Sequence, residues 1–419
     1  MTMDKDRWQE ILHVLSTNKL RTILAAFGVF WGMFMLVALM GSGNGLENGV
    51  TGGFGQFATN SFFMWGQSTS LPYGGFDKGR PVRFTNDDTE ALKMELDGAA
   101  VIAPKCQLGG YRSTNYVTRG KYSGSTFSVT GDVPEIILIT AKKITDGRWL
   151  NSKDIAEKRK VAVIGSRVRD VLFEPGENPI GQYINISGIY FMVVGVHDME
   201  FTNDHNERDL ETIHTPLSTF QQAFNYGNRV QWYSIMAKPE ISAAELEEQA
   251  RKIMKERHDI HPEDQRAIGG WNAEKEFNKI NGLFTAIKAL VWFVGIGTLL
   301  AGVIGVSNIM LIVVKERTRE IGIRKAIGAT PQNIVSQIIL EALVLTSISG
   351  YLGLSFGVMT LELLNSGLSQ AGGMFRQPEI DFTAALVCLL IIIVAGALAG
   401  IIPARQAAGV NPIIALRTE

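Results

Sequence analysis

Residues Lys315–Pro331 read KERTREIGIRKAIGATP and lie between two long uncharged runs, Ala289–Val314 and Ala342–Leu361. Five basic residues, Lys315, Arg317, Arg319, Arg324 and Lys325, fall within eleven positions. A short basic segment between two membrane spans belongs on the cytoplasmic side. The stretch also has helical order. Glu320 precedes Arg324 by four residues, a spacing that supports an isolated helix by ~0.2–0.5 kcal/mol. Gly328 and Pro331 supply a stop and a restart. The stretch therefore predicts a short cytoplasmic helix between spans. It is either a plain positive-inside anchor or a handle that another protein grips.

Working outward, a spanning helix needs ~20 mostly apolar residues. Thr22–Leu46, Ala289–Val314, Ala342–Leu361 (with an apolar lead-in from Ile334) and Phe382–Ala404 meet that requirement. The first run is read as an uncleaved anchor. Its apolar core is long and no A-x-A site follows it. Outside residues 47–288 there are twelve lysines and arginines, and only Arg376 falls between the third and fourth runs. Four precede the first run, five lie in 315–325, and two follow the fourth. That bias predicts that both termini are cytoplasmic and that 47–288 faces outward.

Composition agrees with a membrane anchor carrying a large polar part: 46% apolar, 19% charged and a mean hydropathy of +0.11. A net charge of −1 offers no electrostatic footprint for nucleic acid. Cys106 lies in the polar region and Cys388 in an apolar run, so no disulfide between them is expected. The predicted fold class is a membrane protein. It has four transmembrane α-helices, with a large α+β extracytoplasmic domain inserted between the first and second.

Along the chain, Trp8, Ile11, Leu12 and Leu15 follow one helical face. Residues 1–21 thus predict a cytoplasmic amphipathic helix lying in the lipid interface. The glycine-rich run 41–57 reads as a flexible linker or a tight entry into a domain. Thr85 to Asp88 and Ser242 to Glu245 read as capping boxes at helix starts. Ile136–Thr140, Val161–Ile164, Tyr183–Ser187 and Tyr190–Val196 have strand length and composition. Residues 271–290 lack proline and predict a helical stalk continuous with the second span. Gly302, Gly305, Gly353, Gly357, Gly396 and Gly400 sit at spacings that let helices approach closely in lipid, within one subunit or between two. Glu341 is the acid near a span core. A helix rising from Pro331 places it ~15 Å along the axis, near the interface or paired with a neighbour.

The segment 197–211 holds His197, Asp198, Glu200, Asp204, His205, Glu207, Asp209 and Glu211, but no tight H-x-x-x-H pair. It reads as a solvated polar loop and no metal site is expected. No P-loop, G-x-S-x-G, HExxH or CxxC motif occurs in these residues. A non-catalytic protein with no cofactor on this chain is the expectation.

Four stretches carry a resemblance to the MacB-type ABC transporter permeases of the FtsX-like superfamily. ERTREIGIRKAIGA (Glu316–Ala329) resembles the family's cytoplasmic coupling segment. IIPARQAAGVNPIIALR (Ile401–Arg417) resembles its C-terminal signature, and NKLRTILAAFGVFWG (Asn18–Gly32) its entry into the first span. Gly147–Leu150, Val161–Gly165, Pro179–Gln182 and Phe191–Val196 are similar to the MacB-type periplasmic core.

The resemblance implies a bacterial cytoplasmic (inner) membrane protein and a set of segments. These are spans at 22–46, 283–314 (with the stalk), 334–361 and 382–404. A core domain occupies 47–282, with an inserted lobe about 146–215. A coupling segment occupies 315–333, a short outer loop 362–381 and a cytoplasmic tail 405–419. Glu316, Arg317, Arg319, Glu320, Arg324, Lys325 and Gly328 are implied to couple to an ATPase. Pro403, Arg405, Pro412 and Arg417 carry the C-terminal signature. With no Walker A motif, ATP and Mg are expected on a separate ABC ATPase subunit. A second permease subunit, identical or different, is expected, and a periplasmic adaptor and outer-membrane duct are further partners the resemblance allows. The implied function is mechanotransmission in export. The alternative is an FtsX-like regulator of a cell-wall hydrolase or a signalling membrane protein.

Overall fold

The computed structural model describes residues 19–54, 58–140, 142–199, 207–368 and 382–417. The amphipathic helix expected over 1–21 and the outer loop expected over 362–381 fall largely outside them. Two compact units emerge, Thr51–Asn281 and the remainder of the chain.

The outer unit begins as four antiparallel strands in the order Ala99–Gln107, Trp232–Ala237, Ser61–Gly66 and Ile268–Asn272. Helix Asn86–Glu95 connects one pair along the chain and Ala243–Arg257 the other, a twice-repeated split βαβ. Both helices contribute to one core: Leu92, Leu96, Leu246, Ala250 and Met254 close on Phe62, Met64, Tyr233 and Ile235. Between the two βαβ halves the chain builds a closed ring of six paired strands. The ring runs Tyr122–Asp132, Asn115–Arg119, Tyr183–Ile186, Ile189–Met199, Val161–Gly165 and Thr212–Pro216. The last strand pairs in parallel with the first. Phe127, Val129, Ile164, Ile184, Phe191 and Ile213 are buried together in this lobe. Its strands start at Asn115, upstream of residue 146.

Local details differ from expectation in instructive ways. The segment at Ile136 is a 3₁₀ helix, Pro134–Leu138, and not a strand. Pro134 suits a first helical turn, and Ile136 and Ile139 are buried three apart, against Val101 and Ala103. Three is the period of that tighter helix. The Thr85 box forms, with Asp88 Oδ2 accepting from Thr85 N at 2.8 Å. At Ser242 the hydroxyl accepts from Ala244 N at 3.1 Å, but Glu245 does not complete a box. Glu274 Oε2, from the start of the next helix, accepts from Ser242 Oγ at 2.7 Å and Ala244 N at 2.8 Å.

Among the described residues, four helices are long and apolar enough to cross a membrane. With two short helices they are labelled α1 (Lys19–Phe54), α2 (Ala273–Glu316), α3 (Thr318–Ala326), α4 (Pro331–Leu368), α5 (Phe382–Ala408) and α6 (Pro412–Arg417). Asn272 caps α2, its Oδ1 accepting from Lys275 N at 2.9 Å. Trp271, expected to start the stalk, lies in the strand before it. At 1.5 Å per residue the 44 residues of α2 extend about 66 Å, twice a ~30 Å hydrocarbon core. The glycine-rich run, read as a flexible linker or a tight entry into a domain, is helical to Phe54. Tertiary contact explains this: a Cβ on Gly41 would sit 2.1 Å from Leu361 Cδ1, so glycine is what lets α1 meet α4 there.

Candidate functional site: the basic helix α3 and the helix ends around it

The long helix α2 ends at Glu316, and Arg317 (φ −96°, ψ 13°) breaks its course before α3 starts at Thr318. Thr318 Oγ1 donates to the Lys315 carbonyl at 2.7 Å and occupies one of the open acceptors of the ended helix. Gly328 then stops α3 with φ +110°, a conformation that costs glycine least. Pro331 begins α4, where its missing N–H is not needed.

The two faces of α3 differ. Ile321 is buried among Val314, Ile334, Ile338, Ala404 and Ala407. Gly322 faces α6, where an added Cβ would lie 2.6 Å from Ala415 Cβ. Glu320 accepts from Arg317 at 2.9 and 3.0 Å and from Arg324 at 2.6 Å. Hydrogen bonds from Arg317, then the charges of both arginines, hold its carboxyl below the usual range. Arg324 Nη1 also donates to Gln337 Oε1 on α4 at 3.0 Å. Lys325 Nζ donates to the Val410 carbonyl at 2.9 Å and to that of Ala408, tying α3 to the end of α5. Glu341 of α4 is 2% exposed and pairs with Arg317 at 3.4 Å. The opposite face carries Arg319, Ile323, Ala326 and Ile327, all exposed, with Ile327 at 82%.

This redistributes the residues singled out above. Arg317, Glu320, Arg324 and Lys325 bond to the protein's own helices, while Arg319 stays on the outward face. Glu316 ends α2 with an exposed side chain. Pro403 is buried within α5, Arg405 is exposed, and Pro412 opens α6. The Arg417 side chain lies outside the described set. Ile323 and Ile327 were not singled out. The signal that finds them is the four-residue spacing Arg319, Ile323, Ile327, which places two isoleucines beside an exposed arginine.

The glycines separate as well. A Cβ on Gly302 would lie 2.9 Å from the Gly28 backbone, and one on Gly353 2.4 Å from the Phe30 carbonyl. Gly357 abuts Val37, Gly396 abuts Thr346, and Gly400 abuts Ile339. Gly305 has no such neighbour within 4 Å among the described residues.

The outer unit holds a second polar cluster. His214 Nδ1 donates to Asp132 Oδ2 at 2.6 Å, Thr130 Oγ1 donates to the same oxygen at 2.5 Å, and Lys105 Nζ lies 3.2 Å from Oδ1. The His197 and His214 rings are 5.0 Å apart, and Trp149 lies 5.1 Å from His214. Burial, then the nearby Lys142 charge, lowers His214 to about 4 and His197 well below its ordinary value. His197 and Asp198 are strand residues rather than loop residues, and 200–206 fall outside the described set. Among the described residues, no three of His, Cys, Asp or Glu are grouped to hold a metal ion.

Residues 22–253 match the family model of the MacB-like periplasmic core domain, and 292–412 match that of the FtsX-like permease C-terminal region. The chain belongs to the MacB-like permease family. Among relatives of this MacB-like permease, the pyoverdine export ATP-binding/permease protein PvdT of Pseudomonas entomophila is 30% identical over 98% of the chain. The macrolide export ATP-binding/permease protein MacB of Psychrobacter arcticus is 26% identical over 97%. The chain spans 59% of the length of each of these relatives. The crystal structure of the periplasmic region of MacB from Actinobacillus actinomycetemcomitans covers 54% of this chain and 94% of its own length, at 16% identity and a TM-score of 0.43. The MacB-like permease is a membrane protein with an extracytoplasmic domain, and α3 lies inside its FtsX-like region.

Proposed function

We propose that this chain is the membrane subunit of an ABC-type exporter of the bacterial cytoplasmic membrane, with both termini cytoplasmic. An ATPase outside these 419 residues binds ATP and Mg and grips α3. Its closure moves α3, and α2 carries that motion outward to the extracytoplasmic domain. A second permease subunit completes the pair. The relatives named above are export proteins, which supports the direction of the reading.

One observation carries the proposal. A helix unbroken from Ala273 to Glu316 ends on a short basic helix whose inner face is bonded to its neighbours and whose outer face is exposed among the described residues. That outer face combines Arg319 with Ile323 and Ile327. An arginine beside exposed aliphatic side chains is a composition suited to a protein partner.

The test is copurification of the full-length chain from its native membrane in mild detergent, with and without an ATP analogue. An ABC ATPase is expected with the wild-type chain. It should be lost from the double variant Ile323→Asp, Ile327→Asp, whose own melting temperature stays unchanged because both side chains are exposed. Retention of the ATPase by that variant would overturn the docking face. Recovery of a cell-wall hydrolase and no ATPase would overturn export in favour of regulation.

A further inference from the structure

We infer that Glu341 is a positioning residue: with Gln337 it pins α3 to α4 at two points, so that a push on α3 is delivered to the third span as well as the second. The direction of that push rests on the function proposed above; the pinning itself does not.

The backbone holds α3 to α2 locally, since Arg317 N donates to the Val313 carbonyl at 3.0 Å and Ile321 N to the Arg317 carbonyl at 3.0 Å, but among the described residues no backbone hydrogen bond ties α3 to α4. The helix joins α2 through the single non-helical residue Arg317, and it joins α4 through a turn containing Gly328. Its attachment to α4 therefore comes from side chains. Arg317, just before α3, and Arg324, within it, are seven residues apart, and both reach α4. Their partners Glu341 and Gln337 are four residues apart, one turn of α4. Two attachments at separate points fix the direction of α3 as well as its position. Gln337 joins them, because its Oε1 accepts from Arg324 at 3.0 Å while its Nε2 donates to Glu341 Oε1 at 3.4 Å.

Burial decides which of these contacts holds. Glu320 and Arg324 are 44% and 35% exposed, and a solvated pair of that kind contributes little. Glu341 is 2% exposed, in a cleft that Ile321, Ile334 and Ile338 share with Arg317, Arg324 and Gln337. Swinging α3 away would take Arg317 from that buried carboxylate and leave it the neutral Gln337 of its own helix. Stranding one member of a buried pair is costly in a way that breaking an exposed pair is not. The 3.4 Å separation makes this an ion pair held by its surroundings more than by an ideal hydrogen bond.

The experiment is hydrogen exchange of the full-length chain in nanodiscs, without any ATPase. In Glu341→Gln, exchange across Thr318–Ala326 should quicken about tenfold or more, while the strands Ser61–Gly66 and Ile268–Asn272 stay unchanged. Glu341→Asp keeps the charge and should restore most of the protection. Glu320→Gln should change exchange by less than about twofold. Unchanged exchange at 318–326 in Glu341→Gln would overturn the inference. So would quickened exchange spread equally over α4 and α5, the mark of general destabilisation. Because no ATPase is present, failure of this measurement leaves the export reading intact, and failure of copurification leaves the brace intact.

Discussion

The outer unit and the membrane unit solve the problem of a unique fold by opposite means. In the outer unit, buried carboxylates join donors close by in the chain to donors far along it. Asp264 accepts from Ser70 N and Oγ, Leu71 N, Arg266 N and Ala267 N. Burial would raise its pKa, but those bonds bring it down to about 2. Asp88 joins Thr85 to Arg257 and His258, and Asp132 joins Thr130, His214 and Lys105. In the membrane unit, backbones meet at glycines, and the buried acid Glu341 sits at the edge where α3 begins. Lipid supplies no hydrophobic force between helices, so close shape supplies the contact. Water supplies that force to the outer unit, and its polar networks then select one arrangement. The outer unit should therefore fail when charge is disturbed, and the membrane unit when volume is.

The largest effect should follow Asp132→Ala. It leaves the buried His214 and the half-buried Lys105 without their carboxylate, a loss of about 3–5 kcal/mol. Scanning fluorimetry of the full-length chain should show the outer-unit transition falling by roughly 6–20 °C. A fall no larger than that of an exposed substitution would break the contrast.

Acid should act next. His214 titrates near 4 in the fold against 6.5 unfolded, so the unfolded chain takes up the proton first. Its contribution is complete above pH 6.5 and is lost as pH falls through 4. The loss at pH 5 is about 2 kcal/mol. Asp132, held down by Lys105, His214 and Thr130 against the opposing effect of burial, contributes above 3.8 and loses that contribution as pH falls further. The outer transition should thus move down between pH 7 and pH 5 while melting of α1, α4 and α5 does not. Equal shifts in both units would remove the distinction.

The smallest effect belongs to volume. Gly353→Ala forces a methyl against the Phe30 carbonyl and should cost ~1 kcal/mol. Gly305→Ala meets nothing within 4 Å among the described residues and should leave the membrane transition where it is. Thermal unfolding in one detergent compares the two, and equal shifts would mean that close approach is not what packs these helices.

Much of this is legible in the amino-acid sequence. The run of five basic residues, Gly328 and Pro331 marked α3 and both its ends, because charge, φ > 0 and a missing N–H act locally. The Thr85 box was legible for the same reason. The Ser242 cap was read only in part, since its second acceptor, Glu274, comes from another helix 32 residues on. The strand expected at Ile136 failed because β-branched composition was read without the period of three that Pro134 begins. The ring of six strands was not legible, because its closing pair joins Thr212–Pro216 to Ser128–Asp132 across the chain.

The sequence by itself determined the spans, the basic helix and the family, because hydropathy, charge and motif spacing are properties of neighbours along the chain. Only the tertiary structure decided the use of each residue. It turned Arg317, Arg324 and Lys325 inward, left Arg319, Ile323 and Ile327 outward, and gave Glu341 its partner. Those assignments depend on which helix lies against α3, and burial sets whether a given ion pair holds the helix in place or merely decorates its surface.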